Sequence, residues 1–228
     1  MSAPAQRPSV VVFDVNETLF DLSALRPNFE AMGLPSYALD WWFAVVLRDG
    51  FALAAAGDAS AFVSLVEIAL DEVFASLGRN PPTDVAAGLL DAFRELPAHA
   101  DVGPAFRRLV QANIPVVALT NGSASVTAGL IERASLSHLV THVLSVDSVG
   151  YWKPRPEAYH FASREVGVEA GRLAMVAAHP WDLNGASRAG LVTGWVNRTE
   201  RPWPRAFTQP HVETSTLDGV IDQLLALP

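Results

Sequence analysis

Four short polar segments in this sequence each follow directly on a short apolar run. If those runs are parallel strands of one sheet, the polar segments lie beyond the carboxyl ends of the strands, where open α/β sheets place their ligands and catalytic groups. The segments carry carboxylates, a lysine, a histidine, hydroxyls and two amides, which suit nucleophilic and acid–base chemistry. They are residues 14–18, 120–122, 153–154 and 179–182.

Asp14 and Lys153 are the two charged residues whose positions most clearly suit a role in a reaction. Asp14 follows Phe13 at the end of the first apolar run, so its carboxylate suits a nucleophile or a metal ligand, although a turn or helix-capping aspartate is the plainer alternative. Lys153 is the only lysine of the chain, and every other basic residue apart from histidine is arginine. Such usage suits a compact point charge with a dedicated role, but taken alone the residue fits equally well as a surface lysine before a turn-forming proline.

The other two segments are ambiguous when each is taken alone. Residues 120–122 (Thr-Asn-Gly) are ordinary turn residues or a set of hydrogen-bond groups at a helix start. His179 begins a loop and does not lie on an apolar helix face, but a lone histidine is more often structural.

The elements that would position these groups follow an α/β order. Strands are predicted at residues 9–13, 115–119, 139–146, 173–177 and 191–196, with helices at 123–133, 156–166, 182–189 and 214–227. Residues 23–95 are rich in Ala and Leu with helical spacing, and predict several helices and no strand. The fold class is therefore α/β, with a Rossmann-like parallel sheet core and an inserted all-helical cap subdomain. The predicted division is 1–20 and 98–228 for the core and 21–97 for the cap.

Composition excludes several classes of protein. The chain has 228 residues, of which 50% are hydrophobic and 18% charged, so it can bury a proper core. Its net charge of -8 disfavours nucleic acid and anionic membranes as partners, and its lack of cysteine excludes disulfides and cysteine catalysis. The short polar start and the absence of a long apolar run predict a cytoplasmic protein.

Together the four segments resemble the haloacid dehalogenase superfamily and, within it, the type II (L-2-haloacid) dehalogenases. The likeness keeps the family's order and spacing over nearly the whole chain, and the helical insert has the place and size of the family's cap domain. The matching stretches are residues 13–21, 119–123, 145–147 through 153–154 to Tyr159, and 181–182 with 185–186.

The resemblance implies hydrolysis of short (S)-2-haloacids to (R)-2-hydroxyacids. Asp14 would displace halide from C2 with inversion and form an aspartyl ester, which water would then hydrolyse at the aspartyl carbonyl. Lys153 would keep Asp14 ionised. The family's other polar and pocket positions fall on Thr18, Thr120, Asn121, Tyr159, Trp181 and Asp182, among which Asn121 and Trp181 would form walls of the halide pocket.

Asn16 separates this chain from the phosphatases of the superfamily. Those enzymes carry a second aspartate two residues after the nucleophile as the general acid, and Asn16, which we place among the substrate-binding groups, cannot donate a proton in that way. A halide leaves without a proton, so dehalogenation is favoured. Asp182 stands where metal-dependent relatives carry an acidic pair; with Lys153 as counter-charge, we expect neither a metal nor another cofactor.

Glu17 and His179 are a paired departure from the family pattern. The family usually has glycine at position 17 and small polar residues near Trp181, where this chain has Ala177 and His179. We hypothesise that His179 activates the water that hydrolyses the ester and that Glu17 fixes its tautomer. A structural histidine beside a solvent-facing glutamate is the alternative, and Asp182 is the other candidate for activating the water.

The family's cap arginine, which helps to receive halide or carboxylate, falls near Phe43 in this sequence. Arg48, further along the same predicted helix, is the nearest basic replacement, although five residues along a helix shift its direction. Relatives are often homodimers, so a homodimer is also expected, and residues 41–43 (Trp-Trp-Phe) suit either an interface or the pocket.

Two other functions compete with the dehalogenase. One is a Mg²⁺-dependent phosphatase acting on a small phosphomonoester, which chelator sensitivity would reveal. The other is a catalytically inactive binding protein that keeps the fold, which the complete set of polar positions disfavours.

Overall fold

The computed structural model describes residues 5–228, and within them six strands form one parallel sheet in the order β3-β2-β1-β4-β5-β6. This confirms the predicted α/β class. The strands are β1 (Val10–Phe13), β2 (Val116–Thr120), β3 (His142–Ser145), β4 (Leu173–Ala177), β5 (Val192–Val196) and β6 (Val212–Thr214).

The central strand β1 places the first polar segment at the middle of the sheet. All four of its residues are buried, as expected for a continuous apolar strand covered on both faces. Phe13 pairs with Ala118 of β2 on one side and with Val176 of β4 on the other. The residue that follows, Asp14, therefore lies between the carboxyl ends of β2 and β4.

Helices connect the strands and cover the sheet. The helices α5 and α9 pack together, and Phe106 of α5 contacts Phe13 with ring centroids 5.0 Å apart. The helix α8 packs on β4 and β5. Outside the insert the helices are α5 (Val102–Gln111), α6 (Ala124–Arg133), α7 (Pro156–Val166), α8 (Pro180–Arg188) and α9 (Leu217–Leu225).

The insert between β1 and β2 is helical, as predicted. Its long helices α2 and α3 pack side by side, and the indole of Trp42 donates to the Val66 carbonyl at 3.1 Å. The helix α2 ends at Gly57, whose φ of +83° is in the left-handed region that favours glycine. The insert helices are α1 (Arg26–Ala31), α2 (Ala38–Ala56), α3 (Phe62–Ser76) and α4 (Val85–Phe93).

The chain leaves and re-enters the core through two paired segments. The Asp21 amide donates to the Pro97 carbonyl at 2.9 Å, and the His99 amide donates to the Leu19 carbonyl at 2.9 Å. Because the two crossings are fastened to each other, we propose that they divide the core, 1–20 and 98–228, from the cap, 21–97; residues 1–4 of this division lie outside the described residues.

The residues on either side of Lys153 hold the cap. The Trp152 indole donates to the Ser60 carbonyl at 3.1 Å, and its ring fills the space beside Gly50 of α2, where a Cβ would lie 2.3 Å from the ring. Arg155 donates to the Ala54 carbonyl at 2.9 Å. The loop that carries the lysine is therefore fastened to α2 and to the segment that follows it.

The end of the chain differs from the prediction of one helix over 214–227. The short edge strand β6 ends at Thr214, and α9 begins only at Leu217, where the Thr216 hydroxyl caps the helix by accepting from the Gly219 amide. A three-residue strand is too short to show a period of two in the sequence. Across residues 5–228, no helix has the length and apolar character needed to cross a membrane.

Candidate active site

Asp14 is a buried carboxylate whose two oxygens have different partners. Its amide donates to the Val176 carbonyl at 3.0 Å, which fixes the backbone between the strands. Oδ1 accepts from Lys153 Nζ at 2.8 Å, and Oδ2 accepts from the Thr18 hydroxyl at 2.7 Å. Thr18 in turn accepts from the Ala178 amide at 2.9 Å, so its hydroxyl hydrogen is directed at Asp14. The nucleophile predicted from the sequence is thus held on both sides.

Lys153 lies at the centre of a closed network. Its ammonium group is fully buried and donates to Asp14, to Asp182 Oδ2 at 2.7 Å and to the Leu119 carbonyl at 3.0 Å, which uses all three of its hydrogens. Asn121 holds the lysine backbone, because its Oδ1 accepts from the Lys153 amide at 2.9 Å and its Nδ2 donates to the Lys153 carbonyl at 3.3 Å. A buried charge with complete partners is tolerated where an unpaired one is not.

Tyr159 completes the network around Asp182. Its hydroxyl lies 2.6 Å from Asp182 Oδ1 and 2.9 Å from the Asp182 carbonyl oxygen. Gly185 of α8 allows this approach, since a Cβ there would lie 2.7 Å from the Tyr159 hydroxyl. Both oxygens of Asp182 are therefore engaged, one by an ammonium group and one by a phenol.

The charges of Asp14 and Lys153 stabilise each other. Burial alone would raise the pKa of Asp14, but Lys153 and His179 outweigh it and lower the pKa well below the ordinary range of an aspartate. Burial would lower the pKa of Lys153, but the carboxylates of Asp14 and Asp182 raise it. Asp14 is consequently ionised at neutral pH, as a nucleophile requires.

His179 bridges two carboxylates. Its Nδ1 lies 2.9 Å from Asp14 Oδ2, and its Nε2 lies 2.7 Å from Glu17 Oε2. Burial lowers the pKa of this imidazole, but the hydrogen bonds and charges of Asp14 and Glu17 outweigh it and raise the pKa to about 10. While Asp14 is ionised, His179 is therefore an imidazolium that donates from both nitrogens.

Glu17 has a backbone conformation that favours glycine. Its φ is +59°, in the left-handed region, which costs a residue with a Cβ about 1–2 kcal/mol. Glutamate nevertheless occupies the position and directs its carboxylate at His179. A strained residue whose side chain makes a specific contact points to a functional requirement for that side chain.

Aromatic rings surround the exposed edge of His179. Trp181 stacks on the imidazole with centroids 5.2 Å apart, and Phe43 lies 6.2 Å away on α2. Phe51 packs edge-on against Trp181 at 4.7 Å. Of the aromatic run predicted for a pocket or an interface, Trp42 is a core residue and Phe43 lines the space beside the histidine.

Two cavities of unlike character lie on either side of Asp14. The first has a volume of about 250 Å³ and opens over β2, between α3, α4 and α6; its lining includes Asn16, Phe62, Phe93, Thr120 and Gly122. The second has a volume of about 700 Å³ and opens over β4 and β5; its lining includes Glu17, Arg26, Phe43, His99, His179 and Arg198. The first is mainly apolar and the second is rich in charged groups.

Arg48 is the one candidate that the structure does not bring to the site. Its exposed side chain, on the solvent side of α2, pairs with Glu72 at 2.7 Å and with Asp49 at 2.7 Å. The angular shift of five helical positions carries it away from the pocket. The other candidates bond to Asp14, belong to the network around Lys153, contact His179 or line one of the two cavities. Thr120 uses its hydroxyl to accept from the Gly122 amide at 2.9 Å.

Acidic side chains come together at the site only around Lys153 and His179. In the part of the chain that the structure describes, no group of three or more His, Asp or Glu side chains is arranged to hold a metal ion. Between Asp14 and Asp182, the position of a bridging cation is taken by the lysine ammonium.

Comparison with known proteins identifies relatives of this arrangement. The sequence profile of the haloacid dehalogenase-like hydrolases matches residues 8–190. (S)-2-haloacid dehalogenase 1 of Pseudomonas sp. (strain CBS-3) is 28% identical over 95% of this chain and 96% of its own, and (S)-2-haloacid dehalogenase 4A of Burkholderia cepacia is 28% identical over 84% of each chain. The L-2-haloacid dehalogenase of Xanthobacter autotrophicus, solved with chloropropionic acid covalently bound, has the same fold, with a TM-score of 0.87 and 22% identity over 97% of this chain and all of its own.

Proposed function

The chain belongs to the haloacid dehalogenase-like hydrolases, and from that premise we propose that it hydrolyses short (S)-2-haloacids to (R)-2-hydroxyacids. The observation that carries the proposal is the buried, ionised Asp14, paired with Lys153 and followed two residues later by Asn16. A carboxylate nucleophile without a neighbouring acid suits a leaving group that needs no proton. The names of the curated relatives support the same chemistry.

In the first half-reaction, a carboxylate oxygen of Asp14 attacks C2 of the substrate from the side opposite the halogen. The new C–O bond forms as the carbon–halogen bond breaks, and the halide leaves with the bonding electrons. The configuration at C2 inverts, and Asp14 becomes a neutral ester. Trp181 and the second Nδ2 hydrogen of Asn121 are the proposed contacts for the halide, since the other polar atoms of Asn121 are used by Lys153.

In the second half-reaction, His179 and Glu17 activate water. Formation of the ester removes the negative charge of Asp14 and so removes one cause of the raised pKa of His179. The Nδ1 proton is then released to water of the polar cavity, while Nε2 keeps its hydrogen and donates it to Glu17. The neutral imidazole accepts a proton from water as the water oxygen attacks Cγ of Asp14.

The cycle then closes with its protons balanced. The tetrahedral intermediate collapses, the C–O bond to the substrate oxygen breaks, and that oxygen takes the proton of the new carboxyl group. The products are the hydroxyacid, ionised Asp14 and protonated His179. Asp182 is the weaker candidate for activating the water, because Lys153 and Tyr159 occupy both of its carboxylate oxygens.

The first experiment measures halide release from L- and D-2-chloropropionate, with and without EDTA. We expect EDTA-resistant release from the L enantiomer only, and none from an Asp14→Asn variant. Phosphate release from a parallel set of phosphomonoesters with Mg²⁺ tests the alternative hypothesis of a phosphatase. Absence of halide release from both enantiomers would overturn the proposal, and EDTA-sensitive phosphate release would replace it.

The second experiment tests the base. His179→Asn should form the ester and fail to hydrolyse it, so the intact protein gains the mass of one propionate unit while halide release stops after one turnover. His211→Asn is the matched control, because His211 contacts Thr193 and lies outside the site. Full multiple turnover by His179→Asn would contradict the assignment.

The proposal also includes a homodimer in the cytoplasm. Tyr37, beside the start of α2, is 56% exposed and packs on Trp41, which suits an interface on the cap. Light scattering of wild-type protein and of Tyr37→Ser compares their masses in solution, and a wild-type monomer would contradict the dimer.

A further inference from the structure

The turn that carries Glu17 and Thr18 is held from outside by two side chains that the mechanism does not use. Arg198 donates to the Thr18 carbonyl from Nη2 at 2.7 Å and from Nε at 3.2 Å. His99 Nε2 lies 3.2 Å from the Glu17 carbonyl and donates to it. Two consecutive carbonyls of the left-handed turn are therefore fixed by groups from distant parts of the chain.

Arg198 is itself rigidly placed. Its guanidinium group makes a bidentate pair with Asp101, at 3.1 Å and 3.0 Å, and both side chains are largely buried. Asp101 also accepts from the Leu217 amide at 2.8 Å, at the start of α9. Planar bidentate pairs give direction as well as attraction, so Arg198 presents its remaining donors to Thr18 in one orientation.

His99 lies where the chain returns from the cap. Its amide bonds to the Leu19 carbonyl, and the two crossing segments are paired there. Burial and the nearby charge of Arg198 lower the pKa of His99, so its ring is neutral and acts as a donor through one nitrogen. The turn is therefore attached to the crossing between core and cap as well as to the loop after β5.

We propose that Arg198 and His99 are positioning residues that hold the Glu17–Thr18 turn in its left-handed conformation, so that the Glu17 carboxylate reaches His179. This inference rests on the proposed function, in which Glu17 serves ester hydrolysis. Because the left-handed conformation costs a glutamate about 1–2 kcal/mol, the turn relaxes when the two contacts are removed, and the carboxylate moves away from the imidazole.

The first test reads the position of Glu17 without activity. The pKa of His179 is measured by NMR in the wild type, Arg198→Met and Arg198→Lys, with His179→Asn to assign the signal. Loss of the Glu17 contact should lower that pKa by about 1. Lysine should not restore it, since an ammonium group is a compact point charge that does not reproduce the planar fork with which the guanidinium group spans Asp101 and the Thr18 carbonyl. An unchanged pKa in Arg198→Met overturns the proposal.

The second test uses His99 and offers a rescue. His99→Gln places an amide nitrogen near the position of Nε2 and should keep the wild-type pKa of His179, whereas His99→Leu should lower it. If the pKa of His179 is the same in His99→Gln and His99→Leu, the His99 ring serves packing only, and the proposed role of His99 is overturned.

The third test is a double-mutant cycle on single-turnover kinetics. Arg198→Met should slow decay of the ester by about tenfold, and halide release in the first turnover by less than about twofold. In a Glu17→Gly background, Arg198→Met should slow ester decay no further, because glycine needs no support and the carboxylate is gone. Additive losses would overturn the inference. A wild type that forms no ester overturns the proposed function instead, and the NMR tests still decide the positioning role.

Discussion

The two oxygens of Asp14 face surroundings of opposite kinds. Oδ1 bonds to Lys153, which is fully buried, whose three hydrogens are used and whose partner Asp182 is also fully buried. Oδ2 bonds to His179, whose second nitrogen reaches Glu17, and the side chain of Glu17 is 42% exposed beside the polar cavity. One side is closed to solvent and the other leads to it.

In the reaction proposed above, this difference assigns the two half-reactions to the two sides of one carboxylate. In that proposal Lys153, whose pKa is raised, keeps its charge through both half-reactions and supports the ionised nucleophile. In the same proposal His179 changes its protonation when the ester forms, because its pKa depends on the charge of Asp14. Breaking the contacts on each side should therefore give different defects.

The largest effect is expected from Lys153→Met. Removing one partner of a buried ion pair costs about 3–5 kcal/mol, and halide release should fall by at least about a hundredfold. Denaturant unfolding and single-turnover halide release measure the two losses. The double variant Lys153→Met/Asp182→Asn should be more stable than the single one, since it leaves one fewer unpaired carboxylate. A single variant as stable as the wild type would contradict the closed network.

The next effect is a pH dependence of stability on the His179 side. The pKa of His179 rises from 6.5 to about 10 in the folded protein, so its protonation stabilises the fold fully below about pH 6.5 and loses that contribution as the pH rises toward about 10. His179→Asn should be less stable than wild type near pH 6 and approach it near pH 10. Unfolding of both proteins across this range tests the sign, and a constant difference would count against it.

A smaller effect separates the strain at Glu17 from its charge. Glu17→Gln keeps a side chain on the left-handed backbone but loses the charge, whereas Glu17→Gly loses both the side chain and the charge. Both variants should slow ester hydrolysis and leave first-turnover halide release near the wild-type rate. Glu17→Gly should be more stable than Glu17→Gln by about 1–2 kcal/mol, measured by denaturant unfolding. Equal stabilities would show that the turn is unstrained.

The smallest effect is expected for Arg48, which belongs neither to the Lys153 side nor to the His179 side of Asp14. Arg48→Ala should leave kcat and KM for 2-chloropropionate unchanged, because Arg48 is exposed and pairs with Glu72 and Asp49. A steady-state assay beside the wild type is sufficient. A raised KM would place Arg48 in the substrate pocket after all.

Most of the fold could be predicted because its signals are local. Short apolar strands, Ala- and Leu-rich helices and a stop at Gly57 are each visible within a few residues. The edge strand β6 is too short to predict, because its three residues, Val212–Thr214, carry no periodic pattern. Strand ends also predicted which polar groups meet, since parallel strands bring them to one edge.

The parts of the site that sequence reasoning missed depend on backbone carbonyls and on direction. The Leu119 carbonyl accepts from Lys153, and the Thr18 carbonyl accepts from Arg198. Both acceptors are backbone groups, so the residue type at those positions does not indicate either contact. Arg198 follows the predicted strand 191–196, so extending the strand-end rule to that loop would have included it. Arg48 shows the converse error, because a helical residue near the site in sequence points away from it.

Gly50 limits how this enzyme can change during evolution or engineering. Glycine inside a long helix such as α2 is an obvious site for stabilisation, because alanine is favoured there by about 1 kcal/mol. Here the added methyl group would lie 2.3 Å from the Trp152 ring, next to the lysine on which Asp14 depends. The Gly50→Ala substitution that helix propensity alone would favour is thus closed to this chain unless Trp152 changes with it.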